Sequence, residues 1–138
     1  YMKKELESTI KEWLRFVEMD RSTAQHLFNT MHPQPLEIIC FHCQQAAEKA
    51  IKALFILKEI EVIKIHDLAI LLHKIESFFS VPVAVKNAGD DLTPFAATFR
   101  YPQSPDIDEA LTRKALADME TVITWCKEQI VLAGYEIE

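Results

Sequence analysis

At 138 residues and a net charge of −6, the chain has the length of one domain and the wrong charge for coating nucleic acid, which requires clustered Lys and Arg. Hydrophobic residues at 49% and charged residues at 26% exclude a disordered chain, and two glycines 45 positions apart, Gly89 and Gly134, exclude glycine-rich phosphate loops. No apolar run is long enough to cross a bilayer and no secretory signal is expected, while three cysteines without paired spacing fit a reducing cytoplasm.

The acidity is uneven. Residues 106–138 hold eight acids against Arg113, Lys114 and Lys127, which is −5 of the −6. Residues 36–76 are nearly balanced, with Lys49, Lys52, Lys58, Lys64 and Lys74 against six acids, so an anion site is expected in the middle of the chain.

Three- and four-residue spacing of Ile10, Trp13, Leu14, Val17, Ala24, Leu27, Phe28 and Met31 predicts a first helix from about Thr9 to Met31. Thr9 and Glu12 have capping-box spacing, and Pro33 and Pro35 end the element. A second helix, Leu36 to Glu59, is apolar over most of its circumference, which marks a central helix contacted from two sides. Alanines 46, 47, 50 and 53 would let neighbouring backbones come close, and Glu48 and Lys52 form an i,i+4 pair on the remaining polar face. So much apolar surface also predicts that part of this helix is covered by a second subunit.

After a loop at 60–66, Asp67 is placed to cap a third helix whose stripe is Leu68, Leu71, Leu72, Ile75, Phe78 and Phe79. Ser80 and Pro82 end it and begin a poorer segment, 82–99, interrupted at Gly89 and at Thr93-Pro94, with Thr93 as a cap. Ser104-Pro105 starts the last helix, to about Ala133, with Asp106 and Glu109 at capping-box spacing and Gly134 as C-terminal cap. No segment alternates like a strand. The expected fold is all-α, an antiparallel bundle of four or five helices in a single domain spanning 1–138.

The stretch Phe41-His42-Cys43-Gln44-Gln45-Ala46-Ala47-Glu48-Lys49-Ala50-Ile51-Lys52-Ala53-Leu54 resembles the second-helix signature of the HEPN-domain family. His66-Asp67-Leu68 is similar to that family's H-D-L, Arg100-Tyr101-Pro102 to its R-Y-P, and Asp20 falls where an Asp is usual in the first helix. The resemblance implies a bundle that commonly forms homodimers. It also implies a partner, a minimal nucleotidyltransferase, in pairs that often behave as toxin and antitoxin. One branch of the family comprises ribonucleases with Arg, four to six residues, then His near the start of the last helix. From Arg100 the histidine would fall at 105–107, which are Pro105, Asp106 and Ile107, and no histidine follows His73. Arg100 alone would bind phosphate but could not move a proton.

The missing histidine favours a non-catalytic binding and interaction module, and no cofactor, no metal and no membrane contact are expected. A nucleotide or RNA would be its ligand. Gln45, Lys49, Lys52, His66, Arg100 and Tyr101 are the candidate contacts, and Asp20 and Asp67 the candidate structural acids. The bland reading makes Lys49 and Lys52 a solvated face and Arg-Tyr-Pro a lock on the last helix. A metal-independent ribonuclease with an unrecognised base and a stand-alone nucleotide-binding domain are the alternatives.

Other patterns carry less. Arg21 and His26 fit Arg-x4-His, but five helical steps put their side chains about 140° apart. Cys40, His42 and Cys43 lack a second ligand pair at zinc spacing, and His66 and His73 lack a carboxylate at metal spacing. Asp20 lies at the edge of the first apolar stripe. It either reaches solvent or holds a cation from another element, with Arg100 the obvious candidate.

Overall fold

The computed structural model describes residues 3–97 and 106–137, and the described residues are all helical or loop. In chain order they form α1 (Lys3–Thr30), α2 (Leu36–Leu57), α3 (Leu68–Ile75), α4 (Val83–Leu92), a 3₁₀ turn (Thr93–Ala96) and α5 (Glu109–Leu132). Arg100-Tyr101-Pro102, Ser104-Pro105 and the end of the 82–99 segment lie outside the described residues.

Helix α1 begins six residues earlier than its capping-box spacing suggests. Leu6 extends the buried stripe of Ile10, Leu14, Val17, Ala24 and Phe28 by one turn. Thr9 is therefore interior, and its hydroxyl donates to the Glu5 carbonyl at 3.0 Å instead of capping. This is the usual back-bond of a mid-helix threonine.

Helix α2 is the centre of the bundle, in contact with α1, α5, α3, α4 and the 3₁₀ turn. Ala46, Ala47, Ala50 and Ala53 are fully buried, so small side chains sit at the close helix crossings. The premise that α2 needs a second subunit to cover it does not hold. One chain buries Ile39, Cys43, Ile51, Leu54 and Phe55 from several sides, leaving Ile38 as its exposed large apolar residue.

The helix ends at Leu57, two residues short of Glu59, because Glu59 adopts a left-handed conformation with φ 54°. The Glu59 N–H donates to Ile56 O and the Ile60 N–H to Phe55 O, the C-terminal closure usually made with glycine.

The Asp67 carboxylate caps α3, accepting from the Ile70 N–H at 3.1 Å. The helix stops at Ile75, so Phe78 leaves the expected stripe and is 46% exposed, while Phe79 packs edge-on against Trp125. Gly89 does not interrupt α4; it lets that helix approach α3. A Cβ there would lie 2.9 Å from Leu72 Cδ1, which must shift within a buried cluster, and in ordinary contact with Leu68 Cβ at 3.5 Å. Gly89→Val should therefore lower the unfolding free energy by about 2 kcal/mol despite valine's better helix propensity. Urea denaturation of the variant measures it.

The break falls at Thr93-Pro94, as expected, but Thr93 serves a different helix. Its hydroxyl donates to Gly89 O at 2.8 Å and accepts from the Leu68 N–H at 3.0 Å, so it satisfies the first turn of α3. The N-cap of α5 is Asp108, not Asp106: its carboxylate accepts from the Leu111 N–H at 2.7 Å. At the other end Ala133 is the C-cap and Gly134, at φ 95°, follows it. The bonds Gly134 N–H to Val131 O and Tyr135 N–H to Ile130 O close the helix.

Candidate functional site

Polar residues on α2 form two carboxylate-centred clusters. In the first, Asp20 of α1 accepts from His42 Nδ1 at 2.9 Å on one oxygen and from Lys49 Nζ at 2.5 Å on the other. His42 and Lys49 are seven residues apart, so a helix brings them within about 20° of one another and both reach the same acid. Asp20 is 9% exposed, so its charge requires partners. Burial pushes its carboxyl up, but the hydrogen bonds from His42 and Lys49 outweigh burial and hold it below the ordinary value. Asp20 does hold a cation from another element, and that cation is Lys49.

In the second cluster Glu48 is the acid, and it is 4% exposed. One oxygen accepts from Lys52 Nζ at 2.9 Å; the other accepts from His66 Nδ1 at 2.9 Å and Gln44 Nε2 at 3.0 Å. Gln44 also donates to the His66 carbonyl at 3.0 Å and accepts from Gln45 Nε2 at 2.6 Å. The spacing 44, 48, 52 is i, i+4, i+8, which lines these groups along α2, and the loop before α3 delivers His66 to them. The Glu48–Lys52 pair is thus buried, with side chains 5% and 9% exposed, and not on a solvated face.

Of the candidate contacts, Gln45, Lys52 and His66 meet through Gln44 and Glu48, while Lys49 joins the Asp20 cluster. Arg100 and Tyr101 lie outside the described residues, and Asp67 is spent on capping. Sequence reasoning missed the central roles of His42, Gln44 and Glu48. Their seven- and four-residue spacings to Lys49 and Lys52 were the available signal.

His66 stands apart from its neighbours in access. Its side chain is 66% exposed although its Nδ1 is tied to a buried acid, so Nε2 is the ring atom left for solvent. Beside the Asp20 cluster, Glu12, Trp13, Phe16 and Lys49 line a recess of about 350 Å³. The Arg15 guanidinium lies 4.8 Å and Lys49 Nζ 5.8 Å from the Phe16 ring centre, both in cation–π range.

The remaining motifs have structural roles. Arg21 clamps α1 to α5 through Glu120 and also meets Glu18, while His26 is exposed on the same helix. Cys40 Sγ donates to Thr112 Oγ1 at 3.6 Å, and burial pushes the thiols of Cys40, Cys43 and Cys126 up, away from reactive thiolate. His73 pairs with Glu76 on the surface and does not meet His66's partners. No helix among the described residues is long and apolar enough to cross a membrane.

A profile of the HEPN domain matches residues 10–129. Among solved structures, the TT1696 protein of Thermus thermophilus superposes with a TM-score of 0.76 at 23% identity, covering 87% of this chain and 97% of its own. An archaeal HEPN homologue, ST0689, gives 0.69 at 22% identity, covering 88% and 97%. A HEPN-domain protein from Thermotoga maritima gives 0.58 at 17% identity, covering 92% and 98%. No curated protein matches significantly by sequence. At these identities the structural likenesses speak for the fold.

Proposed function

The chain belongs to the HEPN-domain family, and from that premise we propose that it is a non-catalytic binding and interaction module. It acts as a homodimer beside a minimal nucleotidyltransferase, in a toxin–antitoxin-like pair. One observation carries the non-catalytic reading: the imidazoles and ammonium groups along α2 are committed to two carboxylates inside the chain, His42 and Lys49 to Asp20, and His66 and Lys52 to Glu48. The sequence adds that no histidine follows His73, where the ribonuclease branch has its proton carrier. For a nucleotide ligand the supporting feature is the recess lined by Glu12, Trp13, Phe16 and Lys49, where a base can stack on the exposed Phe16 ring.

The ribonuclease alternative is favoured by His66. A buried carboxylate holds its Nδ1 and leaves Nε2 facing outward, which is how a general base is oriented. The two readings separate in one assay. The purified chain, incubated without metal with structured and single-stranded RNA, should cleave no more than a buffer control. Cleavage that is lost in His66→Ala and Arg100→Ala would overturn the non-catalytic reading, since removing a proton-transfer group typically costs ~10²–10⁴ in rate. Coexpression with a minimal nucleotidyltransferase, followed by copurification, tests the partner claim. A chain that ignores such a protein when coexpressed would remove that part.

A further inference from the structure

The C-terminal third of α5 carries a feature that the polar clusters do not use. Thr124, Lys127, Glu128, Val131, Leu132 and the tail residues Tyr135 to Ile137 line an open groove of about 810 Å³. Its apolar members are unusually bare: Val131 is 55% and Leu132 80% exposed. Exposed apolar surface with a charged border is characteristic of an interaction site.

The charges around this groove are what identify the occupant. Elsewhere on α5 every charged side chain is paired inside the chain. Arg113 meets Glu109, Lys114 meets Asp118 and Asp91, and Glu120 meets Arg21. Lys127 and Glu128 alone on this helix make no ion pair among the described residues. They are adjacent, opposite in sign, and set on the same stripe as Thr124 and Val131. The order Thr124, Lys127, Glu128, Val131 is complementary to itself when reversed. Two such helices packed antiparallel about a twofold axis between positions 127 and 128 set each Lys127 against the partner's Glu128. The same axis sets each Val131 against the methyl side of the partner's Thr124.

We propose that this face is the interface with a second copy of the same chain, an isologous contact between the ends of two α5 helices with the Lys127–Glu128 pairs on its axis and the exposed Val131 and Leu132 flanking them. The inference rests on the homodimer reading above and adds the surface.

Sedimentation velocity from about 1 to 100 μM, with charge variants, tests both. The wild type should sediment at twice the monomer mass. Lys127→Glu and Glu128→Lys should each weaken the dimer at least ~10-fold, because each juxtaposes two pairs of like charges. An equimolar mixture of those two variants should recover the dimer, since every facing pair is then opposite in sign, and so should the double swap in one chain. Val131→Asp should give monomer with unchanged helical circular dichroism. If the wild type is a monomer at 100 μM, the homodimer reading and the surface both fall. If it is a dimer that Val131→Asp and the single charge variants leave intact, the dimer stands and this surface is wrong. Failure of the mixture to restore assembly would overturn the antiparallel pairing.

Discussion

Replacing Glu48 by alanine should lower the unfolding free energy by about 3–5 kcal/mol, a large share of the total for a domain of this size. The cost does not measure the strength of the Glu48–Lys52 attraction. Lys52 is 7% exposed, so without Glu48 its ammonium is left in the interior with no counter-charge. His66 Nδ1 and Gln44 lose their acceptor at the same time. Replacing both members by apolar residues of similar length, Glu48→Leu with Lys52→Met, should recover much of the loss, because no stranded charge remains. Chemical denaturation of wild type, single and double variants at neutral pH makes the comparison. A single variant costing under about 1 kcal/mol would mean that Lys52 escapes to water.

The second large effect is expected at Asp20 and depends on pH. Its partners His42 and Lys49 have side chains 25% and 27% exposed and so retain access to water. Asp20→Ala should therefore cost less than Glu48→Ala, about 2–3 kcal/mol at neutral pH. The folded carboxyl has a depressed pKa, so as acid is added the unfolded chain takes up this proton first. The stabilisation is complete above the ordinary aspartate value of about 4 and is lost as pH falls through the lower folded value. The stability difference between wild type and Asp20→Ala should accordingly be constant from pH 7 to about 5 and shrink below about 4. A difference that instead grew on acidification would show that Asp20 is held protonated in the fold.

Both carboxylates bear on how far the sequence could be read. The apolar stripe of α1, the wide apolar surface of α2 and the caps at Asp67 and Gly134 follow from spacing and local backbone needs, which are properties of short stretches. Asp20 was identifiable as an acid in need of a partner because its position at the stripe edge is also local. The identity of that partner is not local. It depends on how α1 and α2 are rotated against each other, and that rotation brings Lys49 and His42 to Asp20. Glu48 and Lys52 form the same i,i+4 pair whether the helix face is bare or covered, so spacing says nothing of burial. The loop before α3 brings His66 onto Glu48, while its Ile60, Val62, Ile63 and Ile65 are partly buried against the core. The early start of α1 was missed because Leu6 was the single apolar signal in a highly charged segment.

The threonine that ends α4 also has a dynamic consequence. One hydroxyl, that of Thr93, joins the last turn of α4 to the first turn of α3, and Gly89 holds the two helices at backbone distance. Neither helix exceeds ten residues, too short to persist alone in water. Fraying of α4 removes the acceptor for the Leu68 amide, and melting of α3 removes part of the surface on which α4 packs. Their amides are thus bound to exchange with solvent as one cooperative unit. In such an opening α1, α2 and α5 remain as a persistent three-helix frame.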